Sequence, residues 1–257
     1  MEKLAIKIRY NGANYHGWQR QKRDISVQET LENALEALWG VPIKTVGCGR
    51  TDAGVHALKY CVSFWGETNI PLDRLPLALN AHLPGDIVVL GACAVEPDFN
   101  AINSCIKKEY TYQILNSPLR DPFMAPVSYF YPKKLDLARL EAAAACFVGT
   151  HDFKAMRSVG TVTKTTVRTV HHCMVETQGD LVKIKICADG FLYNMARAIV
   201  GTLLYVAQGK IEPGEIGALL KAGDRRLAGP TAPPQGLALS EIWYDGPVGE
   251  MMKDSLG

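Results

Sequence analysis

Gly49-Arg50-Thr51-Asp52-Ala53-Gly54-Val55-His56-Ala57 is the stretch around which the rest of the chain is organised. It follows a short apolar run that is typical of a strand. Glycines on both sides of Asp52 predict a loop whose backbone takes φ values that other residues avoid. In an extended segment residues two apart share a face, so Arg50 and Asp52 would point the same way. The stretch predicts either an ion pair that stabilises a loop or a shaped site with an ionised acid beside a cation.

The overall composition fits a globular protein with one large domain or two small ones. The 257 residues are 47% hydrophobic and 21% charged, and the formal net charge is +2. This charge falls short of the strongly basic balance of a dedicated nucleic-acid domain. Any RNA-binding surface would therefore depend on local clusters of basic residues.

Cysteine usage and hydropathy argue against several other classes of protein. The seven cysteines are scattered and no Cys-x-x-Cys occurs, so neither a disulfide framework nor a zinc ribbon is predicted. The chain starts directly in a strand pattern, without a signal peptide. No apolar run approaches the roughly 20 residues of a membrane span. We therefore expect a cytoplasmic protein with reduced thiols, no metal site and no membrane contact.

The pattern of apolar residues repeats once along the chain. The first round predicts strands from residue 4, at 41–48, around 60–64 and at 87–95, with helices at 26–40 and after 71. The second predicts strands near 110–114 and at 166–176, 181–188 and 237–244, with helices at 137–147 and 191–208. Each round reads βαββαβ, which predicts an α+β fold of two tandem ferredoxin-like halves with antiparallel sheets. We place the halves at 1–105 and 106–246, with a C-terminal tail at 247–257.

The stretch 49–57 resembles the signature of the tRNA pseudouridine synthase A family, and the resemblance runs from about residue 4 to 244. Further blocks that resemble the family are Arg9-Tyr10-Asn11-Gly12, Gly17-Trp18-Gln19-Arg20-Gln21, Lys108-Glu109-Tyr110-Thr111-Tyr112, 147–153, 191–201 and 232–237. The chain departs from the usual family residues at Asn11, Ile102, Lys59-Tyr60 and Tyr193-Asn194, the last replacing a frequent His-His pair.

The resemblance implies a catalytic set and a substrate. Asp52 would be the catalytic nucleophile, Tyr110 the active-site tyrosine, and Arg50 and Arg197 the active-site arginines. The two halves would join around a central cleft, and the protein would act as a homodimer on uridine in the tRNA anticodon stem-loop. The isomerisation requires no small-molecule cofactor.

Candidate RNA contacts lie close to the signature in the sequence. Trp18 stands beside Arg20 and Arg23, and an aromatic ring among cations is how single-stranded bases are held. His56, within the signature itself, is a further candidate for substrate binding.

Other interpretations of these residues stay open at this point. A strand tyrosine such as Tyr110 is more often a core residue, and an arginine on a helix flank such as Arg197 usually reaches to solvent. A non-catalytic RNA-binding protein is one alternative function, because duplicated ferredoxin-like sheets also form RNA platforms, although no RNP motif is found. An N-glycoside hydrolase that uses Asp52 is another.

Overall fold

The computed structural model describes residues 1–158 and 163–253. The described residues form ten strands and six α-helices in a mixed α/β architecture. In chain order the elements are β1 Glu2–Tyr10, α1 Val27–Trp39, β2 Thr45–Gly47, β3 His56–Gly66, α2 Leu75–Asn80, β4 Ile87–Val95, β5 Lys107–Leu115, β6 Tyr129–Phe130, α3 Leu137–Ala145, β7 Gly149–Asp152, β8 Val167–Gln178, β9 Leu181–Ala188, α4 Met195–Ala207, α5 Ile216–Ala222, β10 Leu237–Trp243 and α6 Gly246–Met252.

Contacts divide the chain into two compact units. Unit 1 comprises Met1–Lys107 together with the chain from Ala238 onward, and unit 2 comprises Lys108–Leu237. The halves expected at 1–105 and 106–246 are each one continuous stretch of sequence. Unit 1, in contrast, combines the start of the chain with the segment from Ala238 onward. Most of the segment expected to be a tail, 247–257, is occupied by α6, and residues 254–257 lie outside the described part of the chain.

The sheet of unit 1 is built around β3. Strand β1 pairs with β3 and β4, both antiparallel, while β2 pairs antiparallel with the C-terminal part of β3. Strand β10 runs parallel to β3 at its N-terminal end, where Ala238 lies opposite His56 and Leu239 opposite Ala57. The position of His56, at the start of β3, is therefore set by pairing with a strand that is distant in the sequence.

Helix α1 shows why the sequence forms these elements. The Ser26 side chain accepts a hydrogen bond from the Glu29 backbone at 3.2 Å, and the helix ends at Gly40 in the left-handed region with φ of 71°. Leu31 and Leu35 on its apolar stripe are fully buried. The helix predicted at 26–40 is confirmed, with Ser26 and Gly40 as its caps.

Unit 2 has its own antiparallel ladder, in the order β5-β9-β8-β7. The short strand β6 adds to β5 in parallel. Helix α4 is buried along most of its length, with Met195, Ile199 and Leu203 at 0% exposure. The core of this unit therefore lies around α4.

The structure differs from the sequence expectation in three places. The strand predicted at 41–48 is limited to β2, because only three of its residues pair with β3. The helix predicted from residue 191 starts at Met195, because Asn194 has a φ of 62° that interrupts helical backbone. The sequence predicts no helix or strand at 116–135 or at 149–165, but these stretches contain β6 and β7. Residues 159–162 lie outside the described residues.

Candidate active site

Asp52 opens a tight turn between β2 and β3. The backbone N–H of Val55 donates to the Asp52 carbonyl oxygen at 3.1 Å, and Gly54 has a φ of 77°. A residue with a Cβ atom is strained at that φ, so the turn needs the glycine that the sequence supplies. The Asp52 side chain is half-buried.

The segment before α1 holds this turn by backbone contacts. The N–H of Gly54 donates to the Tyr15 carbonyl at 3.1 Å, and the N–H of Trp18 donates to the Thr51 carbonyl at 3.2 Å. Gly17 has a φ of 82°, and a Cβ atom there would overlap the Thr51 carbonyl oxygen. The two backbones approach so closely that only glycine fits at position 17.

Two side chains fasten the ends of the turn. The hydroxyls of Tyr10 and Thr51 lie 2.8 Å apart in a buried hydrogen bond. The backbone N–H of Gly12 donates to Nδ1 of His56 at 3.0 Å, so this ring nitrogen carries no proton. His56 is only 5% exposed, which gives it a structural position beside the turn. Its role in substrate binding stays a prediction.

Trp18 lies in the core of unit 1. It is 4% exposed and its ring packs against Tyr60, with centroids 4.4 Å apart. The Tyr60 hydroxyl donates to the carbonyl oxygen of Gly49, at the start of the signature. A base could stack on Trp18 only if this side chain left its position in the core. Base stacking by Trp18 stays a prediction, and the structure gives the ring a second use as support for the loop.

Arg50 is exposed to solvent. Within residues 1–158 and 163–253 its guanidinium makes no hydrogen bond or ion pair, so the Arg50–Asp52 ion pair expected from the sequence is not formed. The expectation assumed extended backbone, whereas the chain closes a turn at Asp52. Arg50 therefore presents its charge to solvent.

The two other predicted cations of unit 1 differ in their surroundings. Arg20 contacts Glu29 at 3.3 Å and Glu32 at 3.2 Å, both on α1, and is about half exposed. Arg23 is exposed. Because two carboxylates offset the charge of Arg20, Arg23 is better suited to a phosphate. Contact of either residue with RNA stays a prediction.

Tyr110 lies on β5 in unit 2, opposite Ile186 of β9. Its ring meets Phe191 edge to face, with centroids 4.8 Å apart, and 9% of the residue is exposed. This edge-to-face contact with Phe191 helps to fix the plane of the tyrosine ring. Tyr110 is thus a largely buried aromatic side chain with a defined ring orientation.

Arg197 lies on the first turn of α4 and is tied to neighbouring segments. Its Nε donates to the Ala232 carbonyl at 2.7 Å, and its Nη1 donates to Oδ1 of Asn194 at 2.9 Å. The Ala232 N–H in turn donates to the Arg197 carbonyl at 3.1 Å. The side chain is half-buried, so it does not simply extend to solvent.

The segment that holds Arg197 is itself packed closely on α4. A Cβ atom at Gly201 would overlap the carbonyl oxygen of Pro230, and the N–H of Gly229 donates to the Thr202 hydroxyl at 3.0 Å. Tyr112 donates to the carbonyl of Pro233 at 2.8 Å, and burial raises the pKa of this phenol well above its ordinary value. Tyr112 therefore stays protonated and serves as a fixed donor.

The predicted catalytic residues are divided between the units. Asp52 and Arg50 belong to unit 1, and Tyr110 and Arg197 belong to unit 2. A common site formed by all four stays a prediction. Sequence reasoning missed Tyr10, Tyr60 and Asn194 as supports, because their contacts follow from folding rather than from a local pattern.

Within residues 1–158 and 163–253, no group of three or more His, Cys, Asp or Glu side chains has an arrangement that could hold a metal ion. Among the same residues, no helix has both the length and the apolar character required to cross a bilayer.

Comparison with known proteins matches both units. A family model described as tRNA pseudouridine synthase matches residues 6–102 and 143–245. The chain is 45% identical over 244 residues to tRNA pseudouridine synthase A of Thermoanaerobacter sp. (strain X514), which covers 95% of this chain and 100% of the relative. It is 43% identical, with the same coverage, to tRNA pseudouridine synthase A of Acetivibrio thermocellus. A chain of a Cbf5-Nop10-Gar1 complex gives a TM-score of 0.34 at 12% identity, covering 95% of this chain and 59% of that one.

The sequence matches decide the assignment, since they extend over most of the chain and include the Asp52 turn and the start of α4. The family resemblance expected from residues 49–57 is confirmed. The chain belongs to the tRNA pseudouridine synthase family, and it is an isomerase that acts on tRNA.

Proposed function

We propose that this chain converts uridine to pseudouridine in the anticodon stem-loop of tRNA, with Asp52 as the residue that initiates the reaction. The observation that carries the proposal is the Asp52 turn, in which neighbouring backbone is fastened on both sides while the carboxylate stays half-exposed. A carboxylate on a backbone that is held in place has few positions to sample before it reacts, which favours attack or proton removal at a defined atom.

The reaction is an exchange of bonds within one nucleotide. The bond between N1 of uracil and C1′ of ribose breaks, the base rotates, and C5 forms the new bond to C1′. The proton on C5 leaves and N1 gains one, so atoms and electrons balance without a cofactor. Asp52 starts the cleavage either by covalent attack or as a general base.

The other residues supply binding and proton transfer. Arg50 is exposed and makes no internal bond in the described residues, which suits a contact with a phosphate beside the extruded nucleotide. Tyr110 has a ring plane held by Phe191 and an oxygen that can remove the C5 proton. Arg197 provides a second cation for a carboxylate or a phosphate. A phenol acts as a base only near such a cation.

The architecture and assembly form part of the same proposal. The strand order β4-β1-β3-β2 in unit 1 supports a ferredoxin-like half, and we propose a second such half containing β5, β9 and β8. We also propose that the two halves meet around the catalytic cleft and that two copies of the chain bind tRNA as a cytoplasmic homodimer. Light scattering of the purified protein tests the dimer, and a stable, fully active monomer would remove it.

Nucleoside analysis of tRNA tests the activity. The protein is incubated with transcripts labelled in uridine, and the digested products are separated. Pseudouridine supports the proposal, free uracil would indicate an N-glycoside hydrolase, and unchanged uridine would indicate a non-catalytic RNA-binding protein. A transcript in which every uridine of the anticodon stem-loop is replaced by cytidine serves as the control. Pseudouridine formed in that transcript would contradict the proposed position.

A further inference from the structure

Asn194 has a left-handed backbone, a conformation in which asparagine is among the few non-glycine residues commonly found. It is the one non-glycine residue with a positive φ in the described part of the chain, with φ of 62° and ψ of 8°. Glycine adopts this conformation without the steric cost that a Cβ atom brings. The side chain does not cap the backbone of α4. Because the side chain is not used as a helix cap, it is available for contacts with other side chains.

Both ends of the Asn194 amide are engaged by other side chains. Oδ1 accepts the bond from Nη1 of Arg197 at 2.9 Å, and Nδ2 donates to the Ser158 hydroxyl at 2.7 Å. A guanidinium can only donate, so the oxygen of the amide must face Arg197. Ser158 in turn donates its backbone N–H to the Tyr193 carbonyl at 3.2 Å. The amide thus has a defined orientation on both sides.

Asn194 and Ala232 each accept a hydrogen bond from a different nitrogen of the Arg197 guanidinium. The carbonyl of Ala232 receives Nε at 2.7 Å, while Asn194 receives a different nitrogen. Because a guanidinium is planar, two acceptors on two of its nitrogens fix its position and its plane. The carbonyl is part of the backbone, whereas the amide of Asn194 is a side chain that one substitution removes.

We infer that Asn194 is a positioning residue that holds the Arg197 guanidinium in the orientation used with substrate. The inference rests on the proposed function of Arg197 and extends it to a residue outside the predicted catalytic set. The left-handed backbone of Asn194 brings its short side chain back over the first turn of α4, three residues before the arginine. A residue in the left-handed region thus supplies an acceptor that holds the Arg197 guanidinium.

The test uses Asn194→Gly, which suits the positive φ but removes the acceptor. We expect kcat to fall by about 10- to 100-fold, with KM nearly unchanged, because the cation is misplaced rather than lost. The melting temperature should not fall, since glycine relieves strain. Asn194→Asp keeps an oxygen facing Arg197 and should restore most of the lost kcat. Wild-type kcat in Asn194→Gly, or a loss that Asn194→Asp does not restore, would overturn the inference.

A second background separates this inference from the proposed function. If Asn194 acts through Arg197, Asn194→Gly should add almost no further loss to Arg197→Lys in single-turnover assays. An equal fold-loss in both backgrounds would overturn the positioning role while leaving Arg197 in the catalytic set. Full activity of Arg197→Ala would instead remove Arg197 from that set, and the role of Asn194 with it.

Discussion

The Asp52 turn in unit 1 and the Arg197 region in unit 2 are fixed in different ways. The turn is held mainly by backbone hydrogen bonds and by close contact at glycines, with the Thr51 and His56 side chains as additions. Arg197 is held through its own side chain, which donates to the Ala232 carbonyl and to the Asn194 amide oxygen. A backbone arrangement tolerates the loss of any one side chain better than a side chain tolerates the loss of its acceptor. Substitutions of neighbouring side chains should therefore displace the Asp52 carboxylate less than the Arg197 guanidinium. Removal of the carboxylate itself should have the larger effect on turnover.

The largest expected effect follows from removing the carboxylate itself. Asp52→Ala should lower turnover by about 1,000-fold or more, because no other group replaces its chemistry. Affinity for tRNA should stay nearly intact, since phosphate contacts dominate binding. Pseudouridine formation and filter binding measure the two quantities. Asp73→Ala, which removes an exposed carboxylate of the same unit, is the control. Wild-type turnover of Asp52→Ala would end the assignment.

Arg50→Lys separates charge from shape at the exposed end of the turn. Lysine keeps the positive charge but loses the planar fork, so we expect turnover to fall by about 100-fold. The melting temperature should not change, because Arg50 makes no bond within the described residues. Arg74→Lys, at another exposed arginine of unit 1, is the matched control. Near-normal turnover would mean that position 50 supplies charge alone.

Gly17→Ala against Gly40→Ala measures how far close packing holds the turn. Both positions have a positive φ, but a Cβ atom at Gly17 overlaps the Thr51 carbonyl while Gly40 has open space around it. We expect Gly40→Ala to lower the free energy of unfolding by about 1–2 kcal/mol and Gly17→Ala by about 2–5 kcal/mol. Chemical denaturation gives both values. Equal losses would show that the turn gives way and that the close approach is not required.

The smallest effect concerns the hydroxyl pair under the turn. Thr51→Val keeps the shape of the side chain but removes its bond to Tyr10, so unfolding should cost about 1–2 kcal/mol less. Thr51→Ser keeps the hydroxyl and should lose less. Turnover should change little in either variant, because the backbone bonds of the turn remain. A large loss of turnover in Thr51→Val alone would show that this side chain, and not the backbone, positions Asp52.

Local signals in the sequence were sufficient for the elements with clear ends. The limits of α1 follow from Ser26 and Gly40, and the need for glycine at position 54 follows from the turn. Features that depend on distant residues could not be predicted. The Tyr10–Thr51 bond joins residues 41 apart, and the burial of Trp18 depends on Tyr60. The Arg50–Asp52 pair was expected from residue spacing alone. That expectation was wrong because spacing carries no information about where the chain turns.

The pairing of β10 with β3 has a consequence for how the protein is made. Ala238 and Leu239 lie beside His56 and Ala57, and α6 beyond them ends where Lys7 donates to the carbonyl of Met252 at 3.2 Å. The ribosome completes all of unit 2 before it releases the last strand of unit 1. During that interval the edge of β3 next to the Asp52 turn lacks its parallel neighbour and is an open strand edge on a nascent chain. Translation therefore finishes the unit that it began first only after it has made the whole of unit 2.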